Sequence, residues 1–112
     1  MQKIEAIIRP FKLEEVKATL NAMGIPGATV SEVWVHSREK SNAAPFHSTA
    51  IGADYVSRIK LELVVPDEKR RDTTDAIRRV ANTGKLGDGT ILVSQVYDAI
   101  RIRTGEHSVA TV

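Results

Sequence analysis

The sequence predicts an α+β domain in which two β-α-β halves, joined by a long loop, share one antiparallel sheet. Three observations carry this expectation. Apolar residues alternate at period two, shift to helical spacing and return to period two, and the cycle runs twice. Glycine or proline stands at most of the changes of period. Between the two cycles, residues 37–52 show no period at all. The chain has 112 residues, 42% of them apolar, which suffices for one core, so a single domain is expected over 1–112.

Ile4, Ala6 and Ile8 alternate with Lys3, Glu5 and Ile7, a half-buried strand ended by Pro10. Leu13, Val16, Leu20 and Met23 then recur at helical spacing until Gly24 and Pro26 stop the helix. A second strand is expected over 28–35. The 37–52 stretch is small and polar, with Pro45 and isolated charges, and is long for a connection in a compact domain. Loops of that kind are functional or disordered, and this one is expected to be mobile. Ile59, Leu61, Leu63 and Val65 alternate with Arg58, Lys60, Glu62 and Val64 in a third strand. Pro66 and Asp67 open a second helix with Asp67 as its cap, and Thr74, Ile77, Val80 and Ala81 mark its inner face. A glycine-rich turn over 84–89 leads to a fourth strand over 90–96. Ile100 and Ile102 suggest a further extended piece, and a loose tail is expected over 106–112. The order is that of the ferredoxin-like split βαβ fold. Its helices cover one sheet face and leave the other to solvent or to a partner.

Several function classes are disfavoured. No cysteine is present, so disulfides and thiolate metal sites are excluded and a reducing cytoplasm is the expected location. No apolar run reaches the ~18 residues of a membrane span. Lys3, Glu5 and Arg9 do not suit a signal peptide. The net charge of +2 raises a basic nucleic-acid-binding domain as an alternative, but only 4% of residues are aromatic and few could stack on bases. His36, His47 and His107 have no close ligand spacing, and no nucleophile, base and orienting group can be assembled. No metal site and no catalysis are expected.

Two segments invite an anion. In Thr83-Gly84-Lys85-Leu86-Gly87-Asp88-Gly89-Thr90, glycines allow backbone N–H groups to close on a phosphate. The same residues fit a plain hairpin turn, for which Asp-Gly is the commonest signal. In Arg101-Ile102-Arg103, an extended chain would hold two guanidiniums on one side, roughly 6.5 Å apart. Like charges so close call for an anion between them, and guanidinium forks match phosphate oxygens; ordinary surface arginines on an edge strand are the alternative. Glu62, beside Arg58 and Lys60, reads as an ion-pair partner.

Taken together, these segments resemble the P-II signal-transduction family, also called nitrogen regulatory. The opening Ile4-Glu5-Ala6-Ile7-Ile8-Arg9-Pro10-Phe11-Lys12-Leu13, the glycine turn 83–89 and the closing Arg101-Ile102-Arg103-Thr104-Gly105-Glu106 each match family motifs at the right separations. The resemblance implies a homotrimer with sites for ATP or ADP between subunits. It implies phosphate contacts from Gly87, Asp88, Gly89, Arg101, Arg103 and Arg38, and an adenine pocket lined by Thr29, Glu62 and Val64. It also implies control of a partner, a membrane transporter or an enzyme, through the 37–52 segment as the T-loop. Phe46 and Ile51 are that loop's largest apolar residues and its expected anchors in a partner. The membrane enters only through such a transporter, and no nucleic acid is implied.

The chain departs from the family at telling positions. Glu39 stands where the family has the Gln that ligates magnesium holding 2-oxoglutarate, so magnesium remains possible while 2-oxoglutarate sensing is expected to be weakened. Arg58 replaces the lysine that grips that effector, and Thr90 replaces a phosphate-binding lysine. Ile51 takes the place of the loop-tip tyrosine. These changes mark a divergent branch, expected to sense nucleotide for a transporter or enzyme other than the ammonium system; standard nitrogen control is the alternative.

Overall fold

A computed structural model describes residues 1–25, 27–36 and 55–107. Strand β1 (Gln2–Ile8) leads through a single 3-10 turn (Pro10–Lys12) into helix α1 (Leu13–Ala22) and strand β2 (Thr29–His36). Strand β3 (Tyr55–Val65), a second 3-10 turn (Asp67–Lys69), helix α2 (Arg70–Ala81) and strand β4 (Gly89–Gln95) complete the described elements. The sheet order is β2-β3-β1-β4, and each neighbouring pair is antiparallel. This is the split βαβ arrangement, with β1 and β3 central and β2 and β4 at the edges. The loop expected over 37–52 lies outside the described residues, with its Phe46 and Ile51.

The alternation seen in the sequence becomes the two faces of the sheet. Ile4, Ala6 and Ile8 of β1 and Ile59, Leu61, Leu63 and Val65 of β3 face the helices. Val16 and Leu20 of α1 and Ile77 and Ala81 of α2 close over them. Each Val, Leu or Ile side chain among them, fully buried, contributes about 1.5–3 kcal/mol. Ile77 and Ala81 lie on the buried face of α2 as expected, with Val80 packed at its edge, and only the first inward position differs. Thr73 rather than Thr74 is wholly inside, and its hydroxyl donates to the Lys69 carbonyl at 2.7 Å, so its burial leaves no polar atom unsatisfied.

Asp67 does not cap the second helix. The chain enters through a 3-10 turn that contains Asp67, and no side chain caps it. The carboxylate instead accepts from the Met1 ammonium at 2.9 Å, and that contact holds the carboxyl below its ordinary range. It ties the chain start to the end of β3.

The opposite face of the sheet is uncovered by any described element and carries a square of alternating charge. Lys3 reaches Glu62 at 2.9 Å and Glu5 at 3.3 Å, and Lys60 reaches Glu5 at 3.4 Å and Glu62 at 3.6 Å. The Lys3 contact dominates in drawing the Glu62 carboxyl down, and Glu62 and then Glu5 push the Lys3 ammonium up. Glu62 is thus an ion-pair residue.

Candidate functional site

The glycine turn is organised around one carboxylate. Asp88 accepts from the Thr83 amide at 2.7 Å, the Gly84 amide at 3.1 Å, the Thr83 hydroxyl and Arg9 Nε at 3.0 Å. Arg9 also donates to the Leu86 carbonyl at 2.8 Å, and Arg58 reaches from β3 to the Gly87 carbonyl at 3.1 Å. The turn is therefore latched to the sheet by two arginines, Arg9 just after β1 and Arg58 on β3. Hydrogen bonds from Thr83 and Gly84, with Arg9 adding to them, hold the Asp88 carboxyl far below the usual carboxylate range. Its side chain is committed inward, so toward a phosphate Asp88 has its amide to offer.

That commitment gives a test. A carboxyl held low in the folded state adds stability that is present above its unfolded value near 3.9 and is lost as pH falls toward the folded value. The unfolding midpoint is expected to drop as acid is taken below about pH 4–5, and Asp88→Asn is expected to flatten part of that drop. Denaturant titrations of both proteins from pH 7 to pH 3 check this; parallel curves would remove Asp88 as the acid-sensitive tie.

Backbone geometry shapes the same turn. Gly84, Gly87 and Gly89 have φ of +78°, +90° and +118°, values that side-chain-bearing residues rarely adopt. A Cβ on Gly89 would lie 1.7 Å from the Ile7 carbonyl oxygen. Beside it a cavity of about 330 Å³ opens between α2 and the β1–β4 pair, walled by Ile8, Arg78, Ala81, Asn82 and Ile91.

Arg101 and Arg103 are not held in an extended strand. Residues 102–104 form a turn. The Gly105 amide donates back to the Arg101 carbonyl at 2.8 Å, the Arg101 amide donates to the Glu106 carbonyl at 2.8 Å, and Ile100 bridges His107. Gly105, at φ +73°, makes the reversal possible. The i and i+2 argument for parallel guanidiniums therefore fails, and the two arginines share a closed loop instead. Glu106 and His107, placed in a loose tail by the sequence, are the return arm of this loop; 108–112 lie outside the described residues.

The expected site residues fall into two groups at opposite ends of the sheet. Gly87, Asp88, Gly89, Thr90 and Arg58 stand at the end where Ile8 pairs with Gly89 and Ile59. His36 and Tyr55, the partners that flank 37–54, project from this end, their rings edge to face at 5.3 Å. Arg38 and Glu39 themselves lie outside the described residues. Thr29 pairs with Glu62, and Val64 follows on the same face, toward the other end. The chain leaves β4 at that far end on its way to Arg101 and Arg103. Val64 is five residues along and two strands across from Gly89 by register, roughly 15–20 Å by strand geometry. β4 alone sets the glycine turn and the departure of the arginine loop about 20 Å apart. The glycine turn and the point where the chain departs toward Arg101 and Arg103 thus stand at opposite ends of β4.

Arg9 escaped the sequence reading as a site residue, and so did the contact between Asp98 and His107. Arg9 had a signal, a cation ending a strand before Pro10. The pairing of Asp98 with His107 had none, because it depends on the turn between them. Among the described residues no cluster of three His, Asp or Glu side chains could hold a metal, and no helix is long and apolar enough to cross a membrane.

Comparison with known proteins adds to this geometry. A family model described as "Nitrogen regulatory protein P-II" matches residues 1–106. "Nitrogen regulatory protein P-II" of Bradyrhizobium diazoefficiens is 47% identical over 106 residues, covering 95% of each chain. The protein of the same name from Haemophilus influenzae is 45% identical over 108 residues, 96% of each. "Nitrogen regulatory protein P-II 1" of Escherichia coli is 44% identical over 112 residues and the whole of both chains.

Proposed function

The chain belongs to the nitrogen regulatory protein P-II family, and on that premise we propose that it is a non-catalytic, cytoplasmic signalling protein that senses ADP or ATP at sites shared between identical subunits. The observation that carries this reading is the separation of the two groups along β4. A glycine turn latched to the sheet at one end of β4, and a loop of two arginines on the chain that departs from the other end, are each half of an anion site. A symmetric ring can bring the turn of one copy to the arginine loop of the next. The homotrimer of the resemblance supplies such a ring.

In this reading Gly87, Asp88, Gly89 and Thr90 present backbone to phosphates, and Arg101 and Arg103 arrive from the neighbouring copy. Thr29, Glu62 and Val64 line the base. Glu62 contributes backbone there, since its carboxylate is engaged by Lys3 and Lys60. Arg58 acts as a strut of the turn through its bond to the Gly87 carbonyl and is less available to a dianion. His36 and Tyr55, which bound residues 37–54, stand at the same end of the sheet as the turn, and nucleotide identity can bias the segment between them toward a target transporter or enzyme. Relatives that carry the name nitrogen regulatory at 44–47% identity favour nitrogen supply as the signal over a separate transport system.

Light scattering and calorimetry on the full chain test the reading together. A mass near three times 12.3 kDa and saturable ADP and ATP binding are expected; a monomer that binds nucleotide equally well would overturn it. A second result is expected from Glu39. At ~4 Å and an effective dielectric of 20, its charge repels one carboxylate by about 4 kcal/mol. Micromolar binding of 2-oxoglutarate with magnesium and ATP present is therefore not expected, and finding it would remove Glu39 as the discriminating residue.

A further inference from the structure

The arginine loop is closed by more than its backbone. His107 Nδ1 lies 2.7 Å from Asp98 Oδ2, across the stem from which the 101–105 loop springs. Behind that contact stand the hydrogen bonds from the Arg101 amide to the Glu106 carbonyl and from the Gly105 amide to the Arg101 carbonyl, and the Ile100–His107 bridge. The Glu106 amide also donates to the Thr104 hydroxyl at 3.2 Å. A two-stranded stem of this length is marginal in water on its own, so one additional side-chain tie changes how much of the time it is closed.

We propose that the Asp98–His107 contact is a clasp that positions Arg101 and Arg103 for phosphate, so that loss of either partner lowers nucleotide affinity. The proposal rests on the nucleotide reading above. Asp98 is the one ion-pair partner of His107 among the described residues. The other charged groups of the same hairpin are Arg101, Arg103 and Glu106, and Glu106 is joined to Arg101 through backbone. Asp98 and His107 are both more than two-fifths exposed, and pairs of that exposure change an equilibrium by about two- to fivefold. An open loop must close before it binds, so apparent affinity scales with the closed fraction.

The test measures ADP affinity by calorimetry at one fixed pH in the wild-type chain, His107→Ala, Asp98→Ala and the double variant. Each single variant is expected to bind about two- to fivefold more weakly than wild type, and the double variant no more weakly than either. Equal affinity in all four overturns the proposal. Amide exchange at Arg101 and Gly105 is read in parallel without nucleotide. Greater protection in wild type than in His107→Ala is expected, and equal protection overturns the clasp. Arg103→Ala separates the two levels. If it leaves ADP binding unchanged, the nucleotide reading fails at this loop, while amide exchange still reports whether the clasp exists.

Discussion

Gly89→Ala is expected to lower stability by about 3 kcal/mol or more, a large effect for one methyl group. Gly89 begins β4 opposite Ile8, and an alanine Cβ there would sit 1.7 Å from the Ile7 carbonyl oxygen and 2.8 Å from its carbon. Both atoms belong to the backbone of a central strand, so no side-chain rotation relieves the overlap. The φ of +118° adds strain that glycine alone avoids. Relief requires β1 and β4 to part where the glycine turn is latched, so nucleotide binding is expected to suffer with stability. Gly24→Ala is the control. Gly24 has a φ of +76° but open space around its missing side chain, so its cost is confined to the left-handed backbone, about 1–2 kcal/mol. Denaturant midpoints at one fixed chain concentration compare the two, since assembly makes stability concentration-dependent. Equal midpoints for the two variants would mean that the close approach at Ile7 is not what requires glycine.

Much of this frame was legible before the structure, for physical reasons that reach only so far. Ile4, Ala6 and Ile8, like Ile59, Leu61, Leu63 and Val65, had to face one core because the strand period is two. The starts of β2 and β4 came within one residue of the expected 28 and 90, at Thr29 and Gly89. Asp67 misled because a residue favoured at helix caps is equally suited to a free ammonium, and Met1 happens to end beside it. The arginine loop misled more deeply. Alternation of Ile100, Arg101, Ile102 and Arg103 reads as a strand, but a strand needs a neighbour, and Gly105 lets the chain find one in its own return arm. Arg9, Arg58 and Asp88 lie up to 79 positions apart, and no local pattern predicts their meeting at the turn. The turn itself was visible; what holds it in place was not.

Mixed assemblies are expected to recover sites that each parent has lost. Arg101→Ala with Arg103→Ala removes the arginine half of the site and leaves the glycine turn intact. A charge-assisted bond is worth about 1.5–3 kcal/mol, so even one of these losses weakens binding roughly 10- to 100-fold. Asp88→Ala removes the other half by releasing Thr83, Gly84 and Arg9 from the carboxylate that orders the turn, while leaving the arginine loop untouched. Neither protein should bind ADP near wild-type strength. If each site draws its turn from one copy and its arginines from the next, co-refolding the two in equal amounts restores about a quarter of the sites, by random choice of neighbours around a ring. The restored class should show wild-type affinity, because both of its halves are unaltered. Calorimetry on the co-refolded mixture reads the stoichiometry, and the unmixed parents, refolded separately and combined at the end, supply the baseline. No gain over that baseline, with exchange of subunits verified by mass, would mean that both halves act within one chain, and the roughly 20 Å between them along β4 would then have to be closed by a movement of the chain after Gln95.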